Sequence, residues 1–341
     1  MCCAAIATPV QTSFGIVHDR PALFIEVIAQ DGASGWGEVR CNFPACGAEH
    51  RAALVQTVLA LQSGEPGPIA QVIAGIDLAL WDLQARRAGL ALWRLLGGKS
   101  DEIGVYASGL NPTGAELIVA EHLACGFDAF KLKLGFGRER DAANLKRVRE
   151  IIGPERRLMV DANQAWDLDT ALSMAEVLDE HRPLWLEEPL RCDRPIMEWQ
   201  MLSARTAIPL AAGENFANHA AFKEGIASGA LSVIQPDAAK WGGISGNWPV
   251  TQAVQAAGLM YCPHYLGAGV GLLASAHLLA AAGDSGGRGL LEVDANPNPL
   301  RSRLSGPIET PAGGRVRLGE APGIGITPDI ASLRREIAAA G

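Results

Sequence analysis

The sequence predicts an α/β protein in which a (β/α) barrel of parallel strands follows an N-terminal α+β unit. Three observations carry that prediction. The stretch Phe130-Lys131-Leu132-Lys133-Leu134 alternates apolar and basic residues, the period-two pattern of a strand. Residues two apart share a face, so Lys131 and Lys133 project together. Six more short apolar segments each end in a polar residue: Leu158 to Asp161, Leu184 to Glu188, Leu210 to Glu214, Val233 to Asp237, Met260 to His264 and Leu290 to Glu292. From Lys133 through Asp161, Glu187, Glu214, Asp237, His264 and Glu292 the steps are 28, 26, 27, 23, 27 and 28 residues. A strand, a loop and a helix need about that length. Polar residues at the C-terminal ends of successive parallel strands, one βα unit apart, mark a barrel.

The elements follow in order. Ala22 to Ile28 reads as a strand, Asp31-Gly32 as a turn and Ser34 to Glu38 as the return strand of a hairpin spanning residues 1 to about 40. Cys41 to His50 reads as a loop containing Pro44 and Gly47. Ile73, Ile76, Leu80 and Leu83 predict a helix running on past Gly89 to Leu96 and stopping at Gly97-Gly98. Val105 to Ser108 is the first barrel strand. Helices between later strands are marked by Leu145, Val148 and Ile152, by Leu172, Ala175 and Leu178, and by Phe222 and Ile226. Beyond Pro297 the chain is rich in Pro and Gly, with one short helix near Ile330 to Ile337. Gly98-Lys99-Ser100 ends like a phosphate-binding loop, but Trp93 stands where that motif needs glycine. The Gly267 to Gly271 run lacks dinucleotide-binding spacing.

A chain of 341 residues suggests two domains. With 48% hydrophobic and 19% charged residues it can bury a large core. A formal net charge of −8 argues against nucleic acid or an anionic membrane as partner. No apolar run is long enough to span a bilayer. The start, Met1 to Ile6, lacks the basic and apolar regions of a signal peptide. Seven cysteines without metal-type pairing predict free thiols in a cytoplasmic protein.

The strand-end residues define a chemistry. In a barrel Asp161, Glu187 and Glu214 sit on three adjacent strands. Two carboxylates about 4 Å apart repel by about 4 kcal/mol at an effective dielectric near 20, and a cation removes that cost. Three hard oxygen ligands favour Mg²⁺, with Mn²⁺ possible, over zinc. Two lysines side by side push a proton off one of them, and a lysine neutral near pH 7 is a usable general base. Across the ring His264 has Asp237 one strand earlier to orient and charge it. Two acid/base groups on opposite faces of a metal-held substrate suit removal of a proton next to a carboxylate. The charge that develops needs the cation and a hydrogen-bond donor such as protonated Glu292.

Lys131-x-Lys133, Val160-Asp161-Ala162-Asn163, Trp185-Leu186-Glu187-Glu188-Pro189, Gly213-Glu214-Asn215, Gln235 to Gly243 and Pro263-His264 together resemble the enolase superfamily, mandelate racemase subgroup. Gly35-Trp36-Gly37-Glu38 and Ile76 to Asp82 extend the resemblance over nearly the whole chain. It implies a (β/α)₇β TIM-like barrel at residues 101–296 under an N-terminal α+β capping domain at 1–100, with the segment 297–341 packing back on the cap. It implies Lys133 as one base and Lys131 as its electrostatic partner. Asp161, Glu187 and Glu214 become Mg²⁺ ligands, Asp237–His264 the second acid/base dyad and Glu292 the donor to the substrate carboxylate. Asn163 and Lys240 fall at neighbouring substrate-shell positions. His18 and Arg20 fall in the specificity loop, where one of them would contact the distal end of the substrate; substrate choice would also depend on the loop Cys41-Asn42-Phe43-Pro44, whose side chains would reach the site from the cap. Between Arg51 and Ile73 the cap is shorter than relatives usually have. The reaction implied is loss of water from a sugar acid. A racemase or epimerase of an α-hydroxy acid and a sugar-lactone cycloisomerase are the alternatives, with a homo-oligomer expected. A non-catalytic binding protein is disfavoured, because Lys133, Asp237, His264 and all three ligands are present.

Overall fold

The structure is a computed structural model that describes residues 1–12, 15–41, 48–63, 69–283 and 289–340. The cap begins with β1 (Cys2–Thr12), β2 (Gly15–Ile28) and β3 (Ser34–Arg40), an antiparallel sheet in that order. Three helices follow: α1 (Ala48–Ser63), α2 (Ala70–Arg87) and the single turn α3 (Leu92–Leu95). The predicted hairpin is β2–β3, paired from Ala22↔Arg40 to Ile28↔Ser34. Its partner β1 is absent from the sequence reading, because its alanine-rich start carries little strand propensity. The loop expected up to His50 gives way to α1 from Ala48. Residues 42–47 and 64–68 lie outside the described residues, and with them Asn42, Phe43 and Pro44.

Helix α2 corrects the predicted apolar stripe. Ile73 and Leu80 point outward, each 48% exposed. The buried face is instead Val72, Gly75, Leu78, Ala79 and Leu83, with Asp82. Small residues set that face because the helix lies directly on β3. A methyl group on Gly37 would overlap the Gly75 carbonyl oxygen and reach 2.8 Å from the Ala79 nitrogen. Backbone approach this close accepts only glycine. The helix ends at Arg87, before Gly89 at φ +65°.

The barrel runs through β4 (Glu102–Leu110), α4 (Ala115–Ala124), β5 (Ala129–Lys133), α5 (Arg138–Ile152), β6 (Arg157–Asp161), α6 (Leu168–Asp179), β7 (Leu186–Glu187) and α7 (Ile196–Ser203). It continues with β8 (Leu210–Ala212), α8 (His219–Ala227), β9 (Leu231–Ile234), α9 (Gly243–Ala256), β10 (Met260–Tyr261), α10 (Gly269–Ala282) and β11 (Leu290–Asp294). Strands β4 to β10 are parallel neighbours in chain order, and β11 returns parallel to β4. Between β10 and β11 the described residues form no backbone ladder. Side chains bridge that seam: Leu290 N donates to Cys262 Sγ (3.4 Å) and Tyr265 N to Glu292 Oε2 (3.1 Å).

Register places the chemistry. Lys133 pairs with Asp161 and Asp161 with Glu187, so the three share one level of the ring. Residues two apart on a strand share a face. Tyr106, Ala129, Met159 and Trp185 form an apolar cluster with Ala211, Val233, Cys262 and Leu290, and Lys131, Asp161 and Glu187 each stand two residues beyond one of them on the same strand face. The alternate residues Phe130, Leu132 and Leu134 are fully buried in the larger core cluster.

The tail holds α11 (Pro299–Ser302), β12 (Arg315–Arg317) and α12 (Ile330–Ala340). It packs on both units. Strand β12 pairs antiparallel with β4. Gly323 O accepts from Leu92 N at 2.8 Å, and Ile324 N donates to Asp82 Oδ1 at 2.7 Å. Among the described residues no helix is long and apolar enough to cross a membrane.

Candidate active site

The strand ends deliver one connected network of buried charges. Lys131 Nζ lies 2.6 Å from both Glu187 Oε1 and Glu292 Oε1, and 3.7 Å from Asp161 Oδ2. Lys133 Nζ lies 2.5 Å from Asp161 Oδ2. Opposite, His264 Nδ1 is 2.9 Å from Asp237 Oδ2, and its Nε2 is 2.7 Å from Glu214 Oε2 and 3.5 Å from Glu292 Oε2. Lys131, Lys133, Asp161, Glu187, Asp237, His264 and Glu292 are all buried.

In the metal-free chain these partners run against two expectations. Lys131 does push Lys133 down, but neither lysine is left near neutrality. Burial disfavours both charges, but Glu187 and Glu292 outweigh it at Lys131, and Asp161 does so at Lys133, so both pKa values are raised. Glu292 is not a protonated donor in the metal-free chain. Burial opposes its charge, yet Lys131 and His264 hold it down to about 2. It accepts from Ser108 Oγ at 2.5 Å and from the Tyr265 amide. His264 is raised to about 9: burial lowers it, and Glu214 and Glu292 more than compensate. Burial and the neighbouring Asp161 push Glu187 up to about 7.

The expected substrate positions divide. Asn163, at φ +44°, donates its backbone and side-chain N–H to Asp161 at 2.7 and 3.2 Å and so orients that carboxylate. Lys240 Nζ donates to Asn215 Oδ1 at 3.0 Å. Arg20 and His18 lie within strand β2 and not in a turn before it. Arg20 forms a buried ion pair with Asp294 at the end of β11, 2.6 Å Nη2 to Oδ2, and His18 is exposed.

Further residues join the site without having been singled out. Glu188, at φ +39°, accepts from Asn215 Nδ2 at 2.9 and 2.8 Å, and Asn215 Nδ2 also donates to Glu214 at 2.9 Å. Gln235 Nε2 donates to Glu187 Oε2 at 2.6 Å. These three stand beside motif acids, a signal the sequence did carry. From the cap, Glu38 accepts from Ala268 N and Gly271 N at 2.7 and 2.9 Å and from the Tyr265 hydroxyl. It thereby caps the start of α10 and locks the cap to the barrel. Arg40 reaches the Asp237 side of the site with no sequence pattern to announce it.

Asp161, Glu187 and Glu214 fit a hard divalent cation by donor chemistry: three carboxylates, no thiol, and a local excess of negative charge. As they stand, no three described His, Cys, Asp or Glu side chains form a ready coordination group. Each carboxylate is neutralised instead by Lys131, Lys133 or His264.

Known proteins resemble this chain over most of its length. Residues 115–332 match the family model for the enolase C-terminal domain-like fold. Residues 54–97 match the N-terminal domain of mandelate racemase / muconate lactonizing enzyme. The chain is 30% identical to a D-galactarolactone cycloisomerase of Agrobacterium fabrum, over 94% of this chain and 92% of that enzyme. It superposes on the crystal structure of a mandelate racemase/muconate lactonizing enzyme from Bordetella bronchiseptica RB50 with a TM-score of 0.87 and 54% identity, covering 98% and 99% of the two chains. An L-talarate dehydratase from Polaromonas sp. JS666, solved with Mg and L-glucarate, gives a TM-score of 0.78 at 26% identity, over 96% of this chain and 92% of that one.

Proposed function

Because the chain belongs to the mandelate racemase / muconate lactonizing enzyme family of the enolase superfamily, we propose that it is a Mg²⁺-dependent hydro-lyase that removes water from a sugar acid. The observation that carries the proposal is the placing of Lys133 on β5 and His264 beyond β10, each bound to its own carboxylate, on either side of one acidic cluster.

Asp161, Glu187 and Glu214 would hold the metal, which supplies positive charge to the substrate carboxylate and to the enediolate formed from it. The chain does the rest. Released from the ion pair with Asp161 or Glu214 that keeps it protonated, one of Lys133 and His264 takes the proton from the carbon next to the carboxylate. The other gives a proton to the hydroxyl leaving the next carbon, so that hydrogen and hydroxyl depart as water. The enol left behind tautomerises to a 2-keto-3-deoxy acid. Asp237 holds the His264 ring through Nδ1, which leaves Nε2 toward the cluster. Lys131 sits between Glu187 and Glu292 and supplies fixed positive charge without leaving the core.

A second reading, a sugar-lactone cycloisomerase, is favoured by the likeness to the galactarolactone enzyme along nearly the full length. It uses the same proton abstraction with an intramolecular oxygen as leaving group. Incubating the protein and Mg²⁺ with a panel of sugar acids and their lactones separates the two. Release of water with a 2-keto-3-deoxy product supports the hydro-lyase. Isomerisation of a lactone without change of mass supports the cycloisomerase. No α-proton exchange on any member of the panel would sink both.

A further inference from the structure

Arg40 ends strand β3 and carries a guanidinium from the cap to the barrel rim. Its backbone N–H donates to Ala239 O at 3.2 Å. Its side chain is only 12% exposed and lies over the Tyr265 ring, 5.8 Å from the centroid. Nη1 stands 3.9 Å from Asp237 Oδ2, beyond hydrogen-bond reach. Nε and Nη1 are both buried and find no hydrogen-bond partner among the described residues.

Asp237 does not meet those donors. Its Oδ1 accepts from the Ala239 and Lys240 amides at 2.9 and 3.1 Å, and its Oδ2 from His264 at 2.9 Å. A counter-charge placed only for Asp237 would sit within bonding distance. Buried donors left unmet are unfavourable, and here they stand beside the acid/base dyad where cap meets barrel. Guanidinium only donates, never loses its charge and matches the two oxygens of a carboxylate.

We propose that Arg40 binds a second carboxylate of the substrate, at the end remote from the reacting carbon, so that the site selects sugar diacids over monoacids. This rests on the barrel being a sugar-acid site as proposed above.

The test is titration calorimetry with Mg²⁺ present, using five- and six-carbon sugar diacids against their matching monoacids, for example galactarate against galactonate. The wild type is expected to bind at least one diacid about 10- to 100-fold more tightly than its monoacid, the scale of a charge-assisted hydrogen bond or two. Arg40→Gln is expected to lower that diacid to the monoacid level and to leave the monoacid within about twofold. A wild type that discriminates no pair overturns the assignment, as does a preference that survives in Arg40→Gln. Should Arg40→Gln fail to fold, Arg40→Lys keeps the charge without the planar fork. A several-fold loss of preference there supports the assignment and an unchanged preference overturns it. Binding is read without turnover. Arg40-dependent diacid binding by a protein that exchanges no α-proton would therefore sink the proposed reaction and leave Arg40 assigned.

Discussion

Lys133 Nζ lies 2.5 Å from Asp161 Oδ2, at the level of the ring where Asp161 also pairs in register with Glu187. The ammonium stands where the acidic cluster needs positive charge. A divalent cation at Asp161, Glu187 and Glu214 would take over that role and free the lysine from its ion pair. We expect Mg²⁺ to bind the wild type by calorimetry, and Asp161→Asn or Glu214→Gln to weaken it by at least about tenfold, since losing even a supporting residue of a metal site costs about 10- to 100-fold. Unchanged affinity in both variants would remove these residues from the metal site.

The Arg20–Asp294 pair predicts a stability effect. The two side chains are 6% and 1% exposed, and removing one partner of a buried pair costs about 3–5 kcal/mol. Arg20→Met should therefore lower the melting temperature. The pH dependence has a definite sign. Burial raises the pKa of Asp294, but Arg20 and Arg301 outweigh it and hold the group below its ordinary 3.8. A carboxylate depressed in the folded state contributes stability above its unfolded pKa and loses it as pH falls through the folded one. Acid unfolding of Arg20→Met should begin at a higher pH than in the wild type. A variant with unchanged melting but weakened substrate binding would restore Arg20 to the substrate.

Gly37 tests the contact of β3 with α2. A methyl group there meets backbone on the helix, which no rotamer change can relieve. Overpacking of this kind costs about 1–3 kcal/mol, sometimes more. Gly37→Ala should lower the melting temperature and loosen the cap, seen as faster amide exchange along α2. Gly246→Ala serves as the control, since its added methyl would first meet the Trp241 ring, at an ordinary 3.5 Å. Equal melting of the two variants would count against the close approach.

The barrel and its eight charged residues were legible because both follow a period. The βα repeat spaces Lys133, Asp161, Glu187, Glu214, Asp237, His264 and Glu292 evenly, and strand alternation turns Lys131 and Lys133 to one face. The cap was less legible. Helix α2 buries small residues against glycines of a strand, so the large apolar residues that define a periodic stripe, Ile73 and Leu80, lie on its outer side. Arg20 and Arg40 were misjudged or missed for a different reason. Their neighbours Asp294 and Asp237 lie more than 190 residues further along the chain, and no local pattern encodes such a meeting. The metal-free protonation of the lysines and of Glu292 was not legible, because it depends on the three carboxylates that surround Lys131 and the sequence pattern shows only the lysine pair.

The two bases give the sharpest test. Lys133 and His264 come from the second and seventh strands of the ring, so they approach a substrate held over the acidic cluster from opposite faces. Only one needs to take the first proton, and the configuration of the substrate decides which. The other is then placed to protonate the departing hydroxyl or the opposite face. Each such role is worth about 10²–10⁴ in rate. Lys133→Ala and His264→Asn should both fold, because the apolar layer of Tyr106, Met159, Trp185 and Val233 beneath them is untouched. Both should bind Mg²⁺ and lose turnover by that factor. One of them should still exchange the substrate α-hydrogen with solvent deuterium, which proton NMR of the substrate in D₂O reads directly. The variant that still exchanges retains the base that acts first. Full turnover by either variant would mean that a single group carries both proton transfers.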